Sequence, residues 1–365
     1  MDQLKVRLLT EKPEKVNTLV EWYLNAPGNS CLFINTTKRV SNVKLKRRRG
    51  HHGQEKYQVS KSESFSRDCV FISYKDTGFY ISKVPDMYEP AWANKLSIEY
   101  RREFGRIPGK EERKAIRELA GFLMGRELLY IGKTKYGSSA MMLQAETKNP
   151  RSVNVRKVCA SPSAELVPVH YYHNEGNHFK RVLECLLPVY MESSMREAIS
   201  ASLPFYWLSF QISLEVAIPT LQTAIETLQK AWFSLPEHAE KSSYYPKAEF
   251  RERIRPVKVA LQESFQGTES YQVMVNKMGN MNQMSVGDKN QLFYAELGIL
   301  YGEKEREAVK ARNSFTHGAL QICDASVVES LHILQILYGK IVLKILGYSG
   351  EYIDWSEIGH PRKLL

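Results

Sequence analysis

Residues Ser326 to Leu346 have the sequence SVVESLHILQILYGKIVLKIL, and this apolar run decides the fold of the C-terminal part of the chain. A helix is expected to begin at Ser326, because Glu329 follows three residues later at the spacing of a capping box. Other apolar residues cover most of the circumference, so the helix is either central in a bundle or covered by a second subunit. The main apolar stripe consists of Val327, Leu331, Leu334, Tyr338, Ile341 and Ile345.

Upstream of this run the pattern is helical from about residue 205. Pro219 suits the first turn of a helix that continues to Leu235. Apolar spacing predicts further helices at 247–265, 269–278, 288–302 and 304–317. Residues 205–355 are therefore predicted to form an all-α bundle.

Between the last two predicted helices stands the sequence Arg312-Asn313-Ser314-Phe315-Thr316-His317-Gly318. Histidine exchanges protons near neutral pH, arginine holds a phosphate through a planar fork of donors, and asparagine orients either partner by hydrogen bonding. These are the groups that a metal-free ribonuclease needs. Gly318 is expected to end the helix, which puts His317 in its last turn.

The spacing of this motif fits one shared site only in part. Asn313 and His317 are predicted to lie on one helix face, whereas Arg312 and His317 are separated by roughly 140° around the helix axis. Arg312 must therefore reach around the helix, or a second copy of the chain must complete the site. The spacing alone is not specific, because Arg47 and His52 show it too. The ordinary alternative is a helix end with a solvated arginine and a capping histidine.

In its context, with a helix before it and a long apolar helix after it, the sequence RNSFTHG resembles the HEPN superfamily, in particular its Apea-like branch. Leu346-Gly347-Tyr348 adds to the resemblance, which covers roughly residues 205–355. The resemblance implies metal-independent RNA cleavage in a site formed across a homodimer. It makes Arg312 and His317 the catalytic pair and Asn313 their polar companion. Some members of the superfamily are inactive binding modules, so a non-catalytic role stays open as an alternative.

A second stretch, Glu118 to Gly132, resembles the N-terminal region that accompanies Apea-like HEPN domains in phage-defence proteins. No chemistry is attached to that segment. Residues 1–200 are accordingly expected to sense a trigger, such as a phage component, and to restrain the helical domain.

Residues 1–200 show mixed helix and strand patterns. The fold class is therefore predicted as α+β, with a mixed, sheet-containing domain over 1–200 followed by a HEPN-like helical bundle over 205–355. A short helix is expected over 12–25, where Val16, Leu19, Trp22 and Tyr23 form a stripe. The other predicted elements are a hairpin of Val70–Tyr74 with Phe79–Ser82, a helix over 109–125, a strand at Leu128–Ile131 paired with Ser139–Glu146, and an edge strand at Leu166–Tyr172.

A basic segment lies between Lys38 and Lys61. It contains nine Lys and Arg and one acid, Glu55, so it holds eight of the chain's eleven net positive charges. Few apolar residues interrupt it, and a mobile loop is predicted. It is interpreted either as a solvated loop or as an RNA-binding arm whose affinity falls with salt. The binding residues of such an arm would be Lys44, Lys46, Arg47, Arg48 and Arg49.

The composition is ordinary for a soluble globular protein, with 365 residues, 43% hydrophobic and 25% charged. The first twenty residues are too charged for a signal peptide. The long apolar run contains Lys340 and Lys344, which argue against a membrane span, so a cytoplasmic protein is expected. The five cysteines are widely scattered, and neither a metal-ligand set nor a cofactor motif is visible.

The sequence therefore predicts a metal-independent endoribonuclease that acts as a homodimer in anti-phage defence or as a toxin. His317 would be the general acid or base, and Arg312 would stabilise the phosphoryl oxygens. The competing class is a non-catalytic nucleic-acid or nucleotide-binding dimerisation module. The two hypotheses differ in turnover rather than in affinity.

Overall fold

The chain divides into two compact units, Met1–Met191 and Glu192–Leu365, whereas the sequence placed the division between residues 200 and 205. The structure is a computed structural model. It describes only the backbone of residues 3–7, 37–41, 47–50, 53–56, 62–66 and 312–316. It describes backbone and side chains of residues 15–27, 32–36, 67–84, 95–148, 167–169, 177–311 and 325–365.

The N-terminal unit is built on an antiparallel sheet of eight strands in the order β1-β10-β9-β2-β8-β7-β6-β3. Two further strands, β4 and β5, form a separate hairpin. The strands are β1 Gln3–Arg7, β2 Thr18–Leu24, β3 Asn35–Ser41, β4 Arg47–Gly50, β5 Gly53–Lys56, β6 Ser62–Tyr74, β7 Thr77–Lys83, β8 Lys95–Arg101, β9 Leu129–Tyr136 and β10 Met142–Lys148. Two helices accompany the sheet, α1 Lys110–Leu123 and α2 His178–Glu192.

Strand β2 corrects the prediction of a helix over 12–25. It lies between β9 and β8 in the sheet, pairing with both. Leu19 and Tyr23 are buried, and Trp22 donates its indole N–H to Thr134 Oγ1 at 2.9 Å. The stripe of Val16, Leu19, Trp22 and Tyr23 has helical spacing, but over so short a segment the pairing with β8 and β9 overrides it.

Most other local predictions for this unit are confirmed. The hairpin of Val70–Tyr74 with Phe79–Ser82 lies in β6 and β7, which turn at Lys75 and Asp76. The helix predicted over 109–125 is α1, and β9 pairs with β10 as expected. Of the expected edge strand over 166–172 only residues 167–169 are described, and they form a bend rather than a strand.

The basic segment is not a loop where it is described. Arg47–Gly50 pairs with Gly53–Lys56 as an antiparallel hairpin, which puts Arg48 opposite Glu55 in the register. Lys38 and Arg39 belong to β3. Charged strands without apolar alternation give no strand signal in the sequence, which explains the wrong prediction. Lys44, Lys46 and His52 lie outside the described residues.

A buried polar network ties α1 to one face of the sheet. Glu21 of β2 is 6% exposed and accepts hydrogen bonds from Arg113 Nε at 2.8 Å and from the Tyr23 hydroxyl at 2.7 Å. Arg113 also donates to the Pro108 carbonyl at 2.6 Å. Burial, followed by the Glu21 carboxylate, raises the pKa of Tyr23 well above its ordinary value. The Tyr100 hydroxyl is also buried, but it has no hydrogen-bond partner among the described residues.

The C-terminal unit is helical, with one small hairpin of β11 Glu351–Ile353 and β12 Arg362–Leu364. The α+β fold class is thereby confirmed. The helices are α3 Arg196–Leu208, α4 Leu214–Ser234, α5 Lys247–Phe265, α6 Tyr271–Asn280, α7 Val286–Glu296, α8 Glu303–Thr316 and α9 Ala325–Ile345.

The helical region begins earlier than the sequence indicated. Helix α2 ends before residue 205 and α3 begins at Arg196, and each contains an internal proline, Pro188 or Pro204, that masks its period. Helix α4 starts at Leu214, so Pro219 is not in its first turn. Ala217 and Ile218 are both fully buried there, and their packing extends the helix upstream of the proline.

Helix α9 is the core of this unit. Leu334, Tyr338 and Ile341 are fully buried, and the Tyr338 ring stacks on Tyr206 of α3 with centroids 4.4 Å apart. The helix is long and apolar enough to cross a membrane by composition, but 61% of its most apolar window is buried inside the unit. Of the two arrangements that the sequence allowed, α9 adopts the central position in a bundle.

Removing the hydroxyl group of Tyr100 and that of Tyr23 should change the free energy of unfolding in opposite directions. Tyr100→Phe removes a buried hydroxyl without a partner and should raise the free energy of unfolding by about 1 kcal/mol. Tyr23→Phe removes a donor from the buried Glu21 carboxylate and should lower it by about 1–3 kcal/mol. Urea unfolding followed by circular dichroism at pH 7 measures both. Equal losses in the two variants would contradict the described network.

Candidate functional site

The RNSFTHG motif begins on helix α8. Arg312 and Asn313 lie in its last two turns, and the helix ends at Thr316, the residue before His317. The side chains of 312–316 and all of residues 317–324, including His317 and Gly318, lie outside the described residues. The helix that precedes the motif and the long helix that follows it are therefore both present, whereas the side-chain geometry of the predicted catalytic pair stays a prediction.

Helix α8 packs against both α4 and α9. Gln222 of α4 makes the most specific contact. It is 4% exposed, and its side-chain Nε2 donates to the carbonyls of Val309 at 2.6 Å and Ala308 at 3.3 Å. In an α-helix these two carbonyls also accept the backbone N–H groups of Arg312 and Asn313. Gln222 thus holds the turn from which both motif residues extend.

Gln222 belongs to a polar stripe on an otherwise apolar helix. Gln229, seven residues later, is buried and donates to Asn290 Oδ1 of α7 at 2.8 Å. Glu226 stands between them at the helical spacing of the same face and is half-buried. The two amides of α4 therefore satisfy groups on neighbouring helices that burial would otherwise leave unpaired.

Sequence reasoning missed Gln222 and Gln229. The signal was available, because both glutamines occur between residues of the apolar stripe Leu221, Ala224, Ile225, Leu228 and Trp232. A glutamine beside such a stripe is usually solvated, so its sequence position alone does not identify a buried contact.

The other predicted nucleic-acid contact lies in the N-terminal unit. Arg47, Arg48 and Arg49 form most of β4, and the hairpin brings Lys56 opposite Arg47 in the backbone register. Successive positions of a strand lie on opposite faces, so positions 47 and 49 share one face of the hairpin and position 48 lies on the other. Within the described ranges, no group of three or more His, Cys, Asp or Glu is placed to hold a metal ion.

Comparisons with known proteins add no family to this picture. The chain matches no protein-family model, and searches of curated proteins and of solved structures find no match either.

The contact from Gln222 predicts a local effect at the motif. Gln222→Leu removes the extra donor to the turn of α8, so the amides of Arg312 and Asn313 should exchange with solvent about fivefold faster, the factor that corresponds to ~1 kcal/mol. Hydrogen exchange followed by mass spectrometry at peptide resolution measures this change.

Gln229→Leu is the matched control. It deletes an equally buried amide on the same helix, and the effect should centre on α7, around Asn290. Faster exchange at Arg312 and Asn313 in both variants alike would show that Gln222 has no specific hold on the motif.

Proposed function

We propose that the chain is a metal-independent endoribonuclease of the HEPN type. The observation that carries this proposal is the position of Arg312 and Asn313 at the end of α8, directly before His317, on a helix held by α4 and followed by the central helix α9. Most described residues of α8 are exposed, yet buried Gln222 of α4 bonds to its backbone one turn before the motif. A rigid support is what a site of a few side chains needs.

The proposed reaction needs no group beyond these side chains and the substrate. The ribose 2′-OH attacks the neighbouring phosphorus, and the P–O bond to the 5′-oxygen of the next nucleotide breaks. His317 takes the proton of the attacking hydroxyl or gives one to the leaving oxygen. Arg312 stabilises the charge on the non-bridging oxygens, and Asn313 orients His317 or a phosphate oxygen. The products are a 2′,3′-cyclic phosphate and a 5′-OH end.

A homodimer is part of the proposal. Its support is the angular separation of Arg312 and His317, which one helix does not bring to one face. The second argument from the sequence, the large apolar surface of α9, loses much of its weight, because 61% of the most apolar window of α9 is already buried within one chain. The angular separation is the argument that remains. A site that takes Arg312 from one subunit and His317 from the other would not require both residues to lie on one helix face.

The biological role in the proposal is anti-phage defence or toxin activity in the cytoplasm. The N-terminal unit would sense a phage-derived trigger. Its basic hairpin would add affinity for RNA through phosphate contacts, which carry no base specificity. The competing non-catalytic binding module uses the same contacts and differs only in the absence of turnover.

Cleavage should persist in EDTA and depend on both motif residues. Arg312→Ala and His317→Ala should each lower the rate by at least about 10²-fold, because each removes a group that acts on the reacting atoms. Gel analysis of cellular RNA and a test for cyclic phosphate ends measure the result. Arg306→Ala, at an exposed position on the same helix, should keep the wild-type rate. Activity that disappears in EDTA and returns with a divalent ion would exclude this chemistry.

Mixing the two inactive variants tests the composite site. In mixed dimers one of the two sites regains both residues, so equal mixing should restore about a quarter of the wild-type activity. If each site is built within one chain, mixing restores nothing. RNA bound without cleavage by the wild type would instead favour the binding module.

The basic hairpin should contribute to the salt dependence of RNA affinity. Replacing Arg47, Arg48 and Arg49 by Gln should reduce the slope of log K against log salt by up to about 2, at roughly 0.7 per phosphate contact on single strands. The matched control replaces three exposed cations of α5, Arg251, Arg255 and Lys258, and so removes the same charge. Equal slopes for both triple variants would remove the hairpin from the RNA interface.

A further inference from the structure

The N-terminal unit contains a cavity of about 460 Å³ on the face of the sheet opposite α1. Glu21 of β2 accepts its hydrogen bond from Arg113 of α1, so Glu21 lies on the face that α1 covers. Side chains alternate along a strand, which puts Thr18, Val20 and Trp22 on the other face. These three residues line the cavity, whose volume lies in the range of small-molecule sites.

The cavity extends along the direction of the strands. The register of β2 with β8 gives three successive pairs of lining residues: Trp22 with Ser97, Val20 with Glu99, and Thr18 with Arg101. Neighbouring pairs are two residues apart, so Trp22 and Glu99 are separated by about 7 Å along the strands, and Trp22 and Thr18 by about 13 Å. A ligand that contacts both ends must therefore consist of two parts in series.

The indole of Trp22 is a flat apolar surface at one end of the cavity. Its N–H donates to Thr134 Oγ1 at 2.9 Å, which orients the plane of the ring. Among the residues that the structure describes, no aromatic ring and no cation contacts this indole. Nucleobases stack on such a surface, and stacking depends little on which base is present.

The charged residues of the cavity are joined in one cluster. Arg101 donates from Nε to Glu99 Oε1, and from Nη1 to Glu103 Oε1 at 2.9 Å. The lining contains no other charged residue, so the described wall of the cavity carries one net negative charge. Because two carboxylates already surround its one cation, the cavity disfavours a phosphate or another anion.

Hydrogen-bonding capacity remains at the end of the cavity away from Trp22. The second carboxylate oxygens of Glu99 and Glu103 have no hydrogen-bond partner within the described ranges. The same holds there for the side-chain hydroxyls of Thr18 and Tyr136 and for the side-chain amide of Asn17, all of which line the cavity. A hydroxyl that donates to a carboxylate forms a short, charge-assisted bond, so this end fits an uncharged ligand with several hydroxyl groups.

We propose that this cavity binds an uncharged nucleoside, with its base stacked on Trp22 and the diol of its ribose hydrogen-bonded to Glu99. Base and ribose are two parts in series, and the diol would lie one residue pair away from the base. The 5′-hydroxyl would then approach Thr18 and Tyr136. This proposal goes beyond the proposed cleavage and does not depend on it, because every residue involved belongs to the N-terminal unit.

The probe for this site is adenosine, and isothermal titration calorimetry measures its affinity for the full-length chain. 2′,3′-Dideoxyadenosine lacks the diol and should bind at least about tenfold more weakly, because Glu99 loses its donors. Adenosine 5′-monophosphate should also bind more weakly than adenosine, because its phosphate adds negative charge beside Glu103. Ribose alone should not bind in the concentration range in which adenosine does, because it cannot reach both ends of the cavity.

Variants of single residues separate the two halves of the site. Glu99→Ala should weaken adenosine binding at least about tenfold and leave the affinity for the dideoxy analogue unchanged. Trp22→Leu should weaken both ligands by the same factor, because both carry the base that stacks. The matched control is Glu111→Ala, which removes an exposed carboxylate from the first turn of α1, on the other face of the sheet. This control should bind adenosine as the wild type does.

The proposal is overturned if the wild type does not bind adenosine, or binds adenosine and the dideoxy analogue equally. It is also overturned if Glu99→Ala keeps the wild-type affinity for adenosine. Ribose that binds as tightly as adenosine would indicate a site for free sugars, and a monophosphate that binds as tightly would indicate a phosphate site; either result excludes the proposal. Melting curves by circular dichroism identify a variant that fails to fold, and the comparison of ligands on the wild type then decides. Because no RNA is present, these outcomes are independent of whether the motif is catalytic.

Discussion

The burial of helix α9 is the constraint on which the C-terminal unit depends. Apolar side chains cover most of its circumference, so no single neighbour can shield it from water. Helices α3, α4 and α8 all pack against it. Contact with α9 on one side and with Gln222 of α4 on another leaves α8 little freedom to shift. Helix α8, whose last turns carry Arg312 and Asn313, is thereby attached to two other helices of the unit.

In the N-terminal unit, a polar network holds a helix, α1, in place on the sheet. Glu21 is buried and the Arg113 side chain is 11% exposed, and such a pair stabilises only when hydrogen bonds satisfy the remaining atoms of each group. Tyr23 and the Pro108 carbonyl provide those bonds. The Glu21–Arg113 pair restricts the position of α1 along the sheet more narrowly than apolar packing would. An ion pair has a narrow range of favourable geometries, whereas contacts between apolar side chains tolerate small displacements.

Local sequence patterns predicted local structure correctly, but they did not predict the pairing of strands that are distant in the chain. The bounds of the helix predicted over 247–265 match α5, since its ends are set by nearby residues. Strand β2 was mistaken for a helix because its identity depends on distant partners, as Leu24 pairs with Lys95 and Leu129. For the candidate site, the sequence identified Arg312 and Asn313, but it could not show that a glutamine far upstream in the chain would support them.

That support has a consequence for how the sequence can diverge. Gln222 bonds to main-chain carbonyls, so it places no demand on which side chains occupy positions 308 and 309. Substitutions at positions 308 and 309 are therefore limited only by packing. Position 222, in contrast, needs a side chain that is as long as glutamine and can donate a hydrogen bond. Among sequences that diverge from this chain, the glutamine at position 222 should therefore be retained longer than the residues at positions 308 and 309, which it contacts.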